Sequence, residues 1–173
     1  MRRPGYVAVL VIAAGVLAAA WTSDRGPWLV YNASESAPVG FYLRSARPAA
    51  IGDFTLVRAD SQPGIEAAGR GLVPGGTPLV KRLAAGPGDR VCRHAAHVTI
   101  NGRLVAAALG HDREGRPLPV WSGCVRLRAG EAFLVQDHPR SFDGRYLGPT
   151  LISDLAGRLV RLGSLRRFLG DNS

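Results

Sequence analysis

The sequence predicts a mainly β domain preceded by one N-terminal transmembrane helix. An uncharged apolar segment lies close to the amino end, between Gly5 and Trp21. Beyond it, short runs of β-branched and aromatic residues are separated by glycine and proline, which is typical of strands joined by turns. Apolar residues make up 46% of the 173 residues and charged residues 20%, so intrinsic disorder is excluded and a core is expected. This length supports one compact domain.

Residues 5–21 follow two arginines and are long enough to cross a bilayer. At a rise of about 1.5 Å per residue they form a helix of roughly 25 Å, within the usable range for a membrane span. The arginines favour a cytoplasmic amino end. We therefore expect residues 1–22 to anchor a single-pass protein in the bacterial inner membrane, with residues 23–173 in the periplasm and the lipid bilayer as a partner. A signal peptide cleaved near Ala20 is the alternative.

The 22 basic residues outnumber the 13 acidic residues, for a net charge of +9, but they are scattered along the chain. Because a nucleic-acid surface needs clustered basic residues, we expect no nucleic-acid partner. Of the basic residues, 21 are arginine and one is lysine, Lys81. The chain meets its ordinary need for surface cations with arginine, so the single lysine requires a specific explanation.

Several strands are recognisable after the anchor. Phe54–Val57, residues 78–83 and residues 131–135 are rich in strand-forming side chains and are flanked by glycine or proline. Residues 97–105 predict a β-hairpin, because Asn101-Gly102 accepts the positive φ angles of a type I′ turn. This hairpin is expected to be structural.

Two further segments have a less regular pattern. Residues 110–119 are polar and rich in turn-forming residues, so we expect an exposed loop in which His111 and Asp112 are solvated. Residues 154–169 place leucines near helical spacing with arginines between them, which indicates a basic amphipathic helix at the membrane surface. The glycines of this segment favour instead a final strand followed by a loose tail.

Cys92 and Cys124 suit a disulfide in an oxidising compartment. In the chain-entropy model, closing the loop between them adds about 3–4 kcal/mol of stability. A zinc site that includes His94 and His97 is the alternative, but Cys-x-His-x-x-His is not a usual zinc spacing. We therefore predict a structural disulfide, no metal site and no cofactor.

Ser34 and Ser36 lie in a segment rich in turn-forming residues, between Asn32 and Tyr42. If the segment is extended, both hydroxyls project from one face, because side chains alternate along a strand. Ser36 is then a candidate nucleophile, while Ser34 and a local backbone N–H face the oxyanion that develops in the reaction. A serine-rich turn without chemistry is the simpler interpretation of this segment taken alone.

A strand over residues 78–83 places Lys81 on one face with Leu79 and Leu83, and Val80 on the other. Burial can lower a lysine pKa from about 10.4 by as much as about 3–5. A neutral amine next to a serine hydroxyl is a general base. A lysine that extends to solvent at a sheet edge is the alternative.

Ser141, Asp143 and Arg145 also share a face if their segment is extended. Ser141 then orients the amine of Lys81 through a hydrogen bond, and Asp143 either pairs with Arg145 or approaches the site itself. A carboxylate in contact with Lys81 would favour the ammonium form, which cannot accept a proton. We therefore prefer a network role for Asp143 and a structural role for Arg145.

The motifs occur in the order Ser-x-Pro-x-Gly, Lys-Arg with a later Pro-Gly-Asp, and Ser-Phe-Asp-x-Arg-Tyr-x-Gly-Pro. In that order they resemble the TraF-type conjugal transfer peptidases of the signal peptidase I clan, over residues 32–149. The resemblance implies a signal-peptidase-like β catalytic domain with a Ser-Lys dyad. By that resemblance Ser36 is the nucleophile, Lys81 the general base and Asp143 a catalytic residue implicated in activity.

The same resemblance implies a serine peptidase that cleaves a pilin precursor for a type IV secretion system, outside the cytoplasmic membrane. In some members the new ends are joined into a cyclic pilin, and other conjugal transfer proteins are implied as partners. General signal peptidases carry Ser-Met-x-Pro where this chain has Ser36-Ala37-Pro38, which favours the TraF type. The family's usual Asp-Ser-Arg is here Asp143-Gly144-Arg145, which removes one hydroxyl from the local network.

Three other functions stay open at this point. The first is a general signal peptidase I. The second is a Ser-His-Asp hydrolase that uses Ser36, His138 and Asp143, since such triads are defined by geometry and not by order along the chain. The third is a membrane-tethered component of a secretion apparatus without catalytic activity, in which the serines only form turns.

Overall fold

The computed structural model describes residues 27–163, and this part of the chain is mainly β, as predicted. It contains eleven strands, two short α-helices and a 3-10 turn at Ile152–Asp154. The strands and helices are β1 Leu29–Asn32, β2 Gly40–Ser45, β3 Phe54–Val57, α1 Gln62–Gly69, β4 Leu79–Ala85, β5 Arg90–His94, β6 His97–Ile100, β7 Arg103–Ala107, β8 Gly123–Arg126, β9 Glu131–Leu134, α2 Gly144–Leu147, β10 Thr150–Leu151 and β11 Leu155–Arg161.

Seven strands form an antiparallel sheet in the order β1-β2-β11-β3-β4-β9-β10. The last strand, β11, lies between β2 and β3 and so joins the amino-terminal hairpin to the rest of the sheet. Its register with β3 shifts between Leu155 and Arg158. Gly157 lies in this bulge with a φ of +119°, and a Cβ there would be 2.8 Å from the carbonyl oxygen of Ser45. Glycine is therefore required at this position for β11 to pair with both neighbours.

The interior strand β4 contributes to the core on both faces of the sheet. Leu79 and Leu83 pack in one cluster with Phe142 and other buried side chains. Val80 packs in a separate cluster on the opposite face. The alternation predicted for this strand is confirmed, and it places Lys81 on the face of the two leucines, where little water reaches it.

Four strands form a second antiparallel sheet in the order β7-β6-β5-β8. The predicted hairpin is confirmed: β6 and β7 are joined by Asn101 and Gly102, with φ angles of 50° and 83°. A third apolar cluster, which includes Val91, Val98 and Phe133, joins this four-stranded sheet to the larger one. The four-stranded sheet is thus packed against the strands that carry the site.

The segment around Asp143 is not extended, so the predicted alternation of side chains there is wrong. The helix α2 begins at Gly144, and the Asp143 carboxylate caps its amino end by accepting from the backbone N–H of Arg145. Ser141, Asp143 and Arg145 are nevertheless all buried. Their proximity comes from a tight turn and a cap rather than from strand alternation.

The loop over residues 110–119 is ordered by its own hydrogen bonds, and the expectation of a solvated Asp112 is wrong. The Asp112 carboxylate accepts from the backbone N–H groups of Glu114 and Arg116 and from the Arg116 guanidinium. These contacts leave only 8% of the Asp112 side chain accessible to solvent. His111 remains exposed, as expected.

The carboxyl-terminal segment begins with a strand, β11, that ends at Arg161, so the strand of the second alternative for residues 154–169 is confirmed. Residues 162 and 163 are helical, whereas residues 164–169 and the anchor predicted at residues 5–21 lie outside the described residues. Between residues 27 and 163 the structure contains no helix that is both long and apolar enough to cross a membrane. The sequence patterns above did not predict the helix α1. Its available signals were Ser61, which caps its amino end, and Pro63 in its first turn.

Candidate active site

Ser34 and Ser36 lie in the connection between β1 and β2, which is a turn and not the extended segment expected. Their hydroxyl oxygens are nevertheless 2.9 Å apart. The Ser34 hydroxyl also donates to Oδ1 of Asn32 over 2.9 Å. With its proton engaged there, the Ser34 oxygen is left to accept the proton of Ser36. In the resting structure the Ser36 hydroxyl is thus directed at Ser34.

Asn32 organises this turn and was not identified from the sequence as a site residue. Its Nδ2 group donates to the carbonyl oxygens of Ser34, Ala37 and Pro38 at 2.8, 2.9 and 3.3 Å. Because the carboxamide has both donors and an acceptor, one buried side chain can hold both ends of the turn. The available signal was the tendency of asparagine to bond to backbone groups a few residues along the chain.

Lys81 lies on β4 with only 7% of its surface exposed, and its Nζ donates to Oγ of Ser141 over 3.1 Å. On the neighbouring strand β3 it faces Thr55, which carries no charge. The alternative of a lysine extended to solvent at a sheet edge is wrong, because β4 is flanked by β3 and β9.

Burial lowers the pKa of Lys81 from the ordinary value of 10.5 to about 8. The negative charge of Asp143 acts in the opposite direction and raises this pKa, while the positive charge of Arg145 lowers it. Desolvation is the largest of the three effects. At pH 7 roughly a tenth of the Lys81 amines is therefore uncharged and able to accept a proton.

Asp143 forms its contacts with Arg145, the first of the two alternatives for this carboxylate. One oxygen, Oδ1, accepts from Nε of Arg145 at 2.8 Å, and the other, Oδ2, accepts from the backbone N–H of Gln136 at 3.0 Å. Arg145 also donates to the carbonyl oxygens of Gln136 and Pro139. The pair is almost fully buried, and its hydrogen bonds hold the chain on both sides of Ser141. Its effect on Lys81 is electrostatic.

The geometry does not form a Ser-His-Asp triad. Nδ1 of His138 accepts from the backbone N–H of Arg140, and both oxygens of Asp143 are engaged by Arg145 and Gln136. Among residues 27–163 no hydrogen bond joins His138 to Asp143 or to Ser36. An imidazole without a carboxylate to orient it lacks the arrangement on which such triads depend.

One cavity of about 850 Å³ brings the candidate residues together. Ser34, Ser36, Lys81 and Ser141 all line it, together with Ala67 of α1 and several residues of the loop over residues 110–119. Within the described part of the chain no hydrogen bond joins Ser36 to Lys81. Hydrogen bonds between reacting groups are often long or absent before substrate binds, so the open arrangement is compatible with a later transfer.

Cys92 and Cys124 face each other on β5 and β8 and form a disulfide. His94 lies next to it, with Nε2 3.7 Å from Sγ of Cys124. The two sulfurs and this imidazole are close enough to hold a metal ion, but the disulfide engages both sulfurs. His97 is not part of that group, so the structure does not assemble the four ligands of the zinc alternative.

Comparison with known proteins identifies the family. The family model for signal peptidase, peptidase S26, matches residues 4–162. No curated protein matches the chain by sequence. Among solved structures, a signal peptidase I from Enterococcus faecalis is similar with a TM-score of 0.40 and 19% identity, over 67% of this chain and 100% of that one. Because the family model spans most of its length, the chain belongs to the peptidase S26 family of serine-type signal peptidases.

Proposed function

We propose that Ser36 and Lys81 form a Ser-Lys dyad. The observation that carries the proposal is the state of Lys81: the chain's single lysine is buried, has a pKa lowered to about 8 and opens into the same cavity as Ser36. A surface lysine is nearly all ammonium at neutral pH and cannot act as a base. A buried ammonium is costly for the fold, so its retention is explained by chemistry that needs a neutral amine.

In the proposed reaction the Ser36 oxygen attacks the scissile carbonyl carbon, and the proton of Ser36 moves to Nζ of Lys81. The carbonyl oxygen becomes an oxyanion that accepts from Ser34, whose hydroxyl turns away from Asn32, and from a backbone N–H of the turn. When the tetrahedral intermediate collapses, the leaving amine takes the proton from Lys81 and an ester to Ser36 remains.

A second cycle resolves this ester. Lys81 accepts a proton from the attacking water, or from the free amino group of the substrate, and returns it to the Ser36 oxygen as the ester bond breaks. Water gives a linear product with a new carboxylate. An amine of the same polypeptide gives a new peptide bond and a cyclic product. In both cases Ser36 and Lys81 return to their starting protonation states.

For the substrate we propose the precursor of a conjugative pilin. The support is the ordered set of three motifs, together with Ser36-Ala37-Pro38 in place of the Ser-Met pair of general signal peptidases. Family membership itself is compatible with a general signal peptidase as well. The two functions differ in how many different secreted proteins depend on the enzyme.

We further propose that the catalytic domain works at the periplasmic surface of the inner membrane. The support is an apolar face on the hairpin of β1 and β2, in which Leu29 pairs with Leu43 and Tyr31 with Phe41, all four side chains being exposed. This face lies close in sequence to the predicted anchor at residues 5–21. An exposed apolar patch next to an anchor suits contact with a bilayer, where a precursor would be held by its own apolar segment.

Mass spectrometry of the pilin from cells that carry the wild-type protein or Ser36→Ala tests the proposal. We expect mature, linear or cyclic pilin with the wild type and full-length precursor with the variant. Unprocessed precursors of many unrelated secreted proteins would indicate a general signal peptidase instead. Mature pilin in Ser36→Ala cells would contradict the proposed nucleophile.

A further inference from the structure

The helix α2 is held by groups from the region of the four-stranded sheet, one for each of its first three residues. Nε1 of Trp121 donates to the carbonyl oxygen of Gly144 at 3.0 Å. A guanidinium nitrogen of Arg93 donates to the carbonyl oxygen of Arg145 at 2.6 Å. The backbone N–H of Leu109 donates to the hydroxyl of Tyr146 at 3.0 Å. A four-residue helix satisfies few of its own carbonyl groups, so these external donors determine where it lies.

Arg93 is the least expected of these partners because it is a buried cation that forms no ion pair with a carboxylate among residues 27–163. It is 3% exposed, and its hydrogen bonds go to the carbonyl oxygens of Ala95, Pro119 and Arg145. Burial lowers the pKa of Arg93, which reflects the cost of desolvating the guanidinium. A neutral donor could bond to these carbonyl oxygens without the cost of burying a charge. A buried cation at this position therefore indicates a stricter structural requirement.

That requirement lies in the loop of residues 136–143, which ends where α2 begins. Arg145 receives the bond from Arg93 on its carbonyl oxygen, and its side chain binds Asp143 and the carbonyl oxygens of Gln136 and Pro139. Ser141 lies inside the same short loop and contacts the amine of Lys81. A displacement of α2 would therefore move Ser141 away from Lys81 and admit water to the amine.

We propose that Arg93 and Trp121 are positioning residues for the general base: by fixing the backbone of α2 they hold Ser141 against the amine of Lys81. Two side chains from the region of the four-stranded sheet thus support the base, in addition to the apolar packing that joins this sheet to the larger one. This inference rests on the proposed Ser-Lys chemistry, but its main measurement does not.

The measurement is a titration of Lys81 by NMR in full-length protein in detergent micelles. Because the chain contains one lysine, lysine labelled with ¹³C at the ε carbon gives one side-chain resonance to follow with pH. The charged groups that face this amine are Asp143 and Arg145, and His138 lines the same cavity. None of them is changed by substitutions at residues 93 and 121, so a changed titration reports on the position of Lys81 and its access to water.

We expect Trp121→Phe, which keeps an aromatic side chain next to Phe133 but removes the N–H donor, to raise the Lys81 pKa. Arg93→Met should raise it as well, because it removes the bond to the carbonyl oxygen of Arg145. In peptidase assays both variants should lower kcat near neutral pH by roughly tenfold or more, with KM little changed, because one displaced hydrogen bond at the base corresponds to about that factor. The loss should diminish at higher pH, where more of the amine is neutral.

Arg126→Met is the matched control, since Arg126 also lies on the four-stranded sheet and donates to a backbone carbonyl, that of Gly88, away from α2. It should titrate and react like the wild type. A Trp121→Phe protein that folds and keeps both the wild-type Lys81 pKa and the wild-type kcat would overturn the proposal, whether or not Arg93→Met folds. If Lys81→Arg retained turnover, the proposed base would be wrong, and that result would be separate from the titration.

Discussion

Nζ of Lys81 lies 3.1 Å from Oγ of Ser141, although 60 residues separate the two in the chain. This contact joins the interior strand β4 to the loop before α2. Within residues 27–163 it is the only side-chain hydrogen bond that the amine forms. The protonation state of Lys81 thus depends on how closely two distant segments pack.

Cleavage is expected to rise with pH and to level off above a pKa of about 8, because the neutral amine is the active form and burial lowers the Lys81 pKa to about that value. Lys81→Arg should be as inactive as Lys81→Ala at every pH, since a guanidinium is effectively never neutral in a protein. The measurement is precursor cleavage in membranes between about pH 6 and pH 10. Substantial turnover by Lys81→Arg would remove Lys81 from the role of base.

Lys81→Met is expected to make the protein more stable at neutral pH. A lysine whose pKa is 10.5 in the unfolded chain and about 8 in the folded one binds its proton more tightly when unfolded. This difference opposes folding by roughly 3 kcal/mol below pH 8, and the penalty disappears as pH rises from 8 to 10.5. Denaturant unfolding of both proteins at pH 7 and pH 10.5 should show an advantage for Lys81→Met at the lower pH only. Equal stability at the lower pH would mean that the buried amine carries no such penalty.

Gly144→Ser introduces the residue that is usual in the TraF-type peptidases which the chain resembles. It is expected to lower both the stability and the activity of this protein. A Cβ at residue 144 would lie 2.7 Å from the carbonyl oxygen of Leu134 and 2.9 Å from the ring of Phe133. Because a backbone oxygen cannot move aside easily, α2 would have to shift, at a cost of about 1–3 kcal/mol. Thermal unfolding and cleavage assays should both show the loss, with Gly69→Ser as the control because a Cβ there meets nothing within 4 Å. A Gly144→Ser protein as stable and active as the wild type would contradict this packing.

Removal of the disulfide is expected to lower stability without changing the chemistry. The double variant Cys92→Ala/Cys124→Ala opens a loop with a sequence separation of 32 residues, so the free energy of unfolding should fall by about 3–4 kcal/mol. The pH dependence of cleavage should stay that of the wild type while the protein is folded. Denaturant titration gives the first quantity, and a shifted pH profile in the folded variant would show that the disulfide also acts on Lys81.

The sequence alone determined those features that depend on neighbours in the chain. Strand alternation placed Lys81 on the face of Leu79 and Leu83, and Asn101-Gly102 specified a hairpin, because side-chain direction and turn geometry are local properties. The lone lysine among arginines marked the candidate base before any contact was known. The order of the motifs also indicated the signal peptidase clan to which the family model assigns the chain.

Only the tertiary structure decided which of these residues meet. The segments of Ser36 and Ser141 are turns, where no periodicity predicts side-chain direction, and their geometry comes from Asn32 and from the pair of Asp143 and Arg145. The contact between Lys81 and Ser141 is a long-range packing contact, and the same is true of the bonds that tie α2 to the four-stranded sheet. The lowered pKa of Lys81 follows from burial, which is a property of the whole fold and not of any local run of residues.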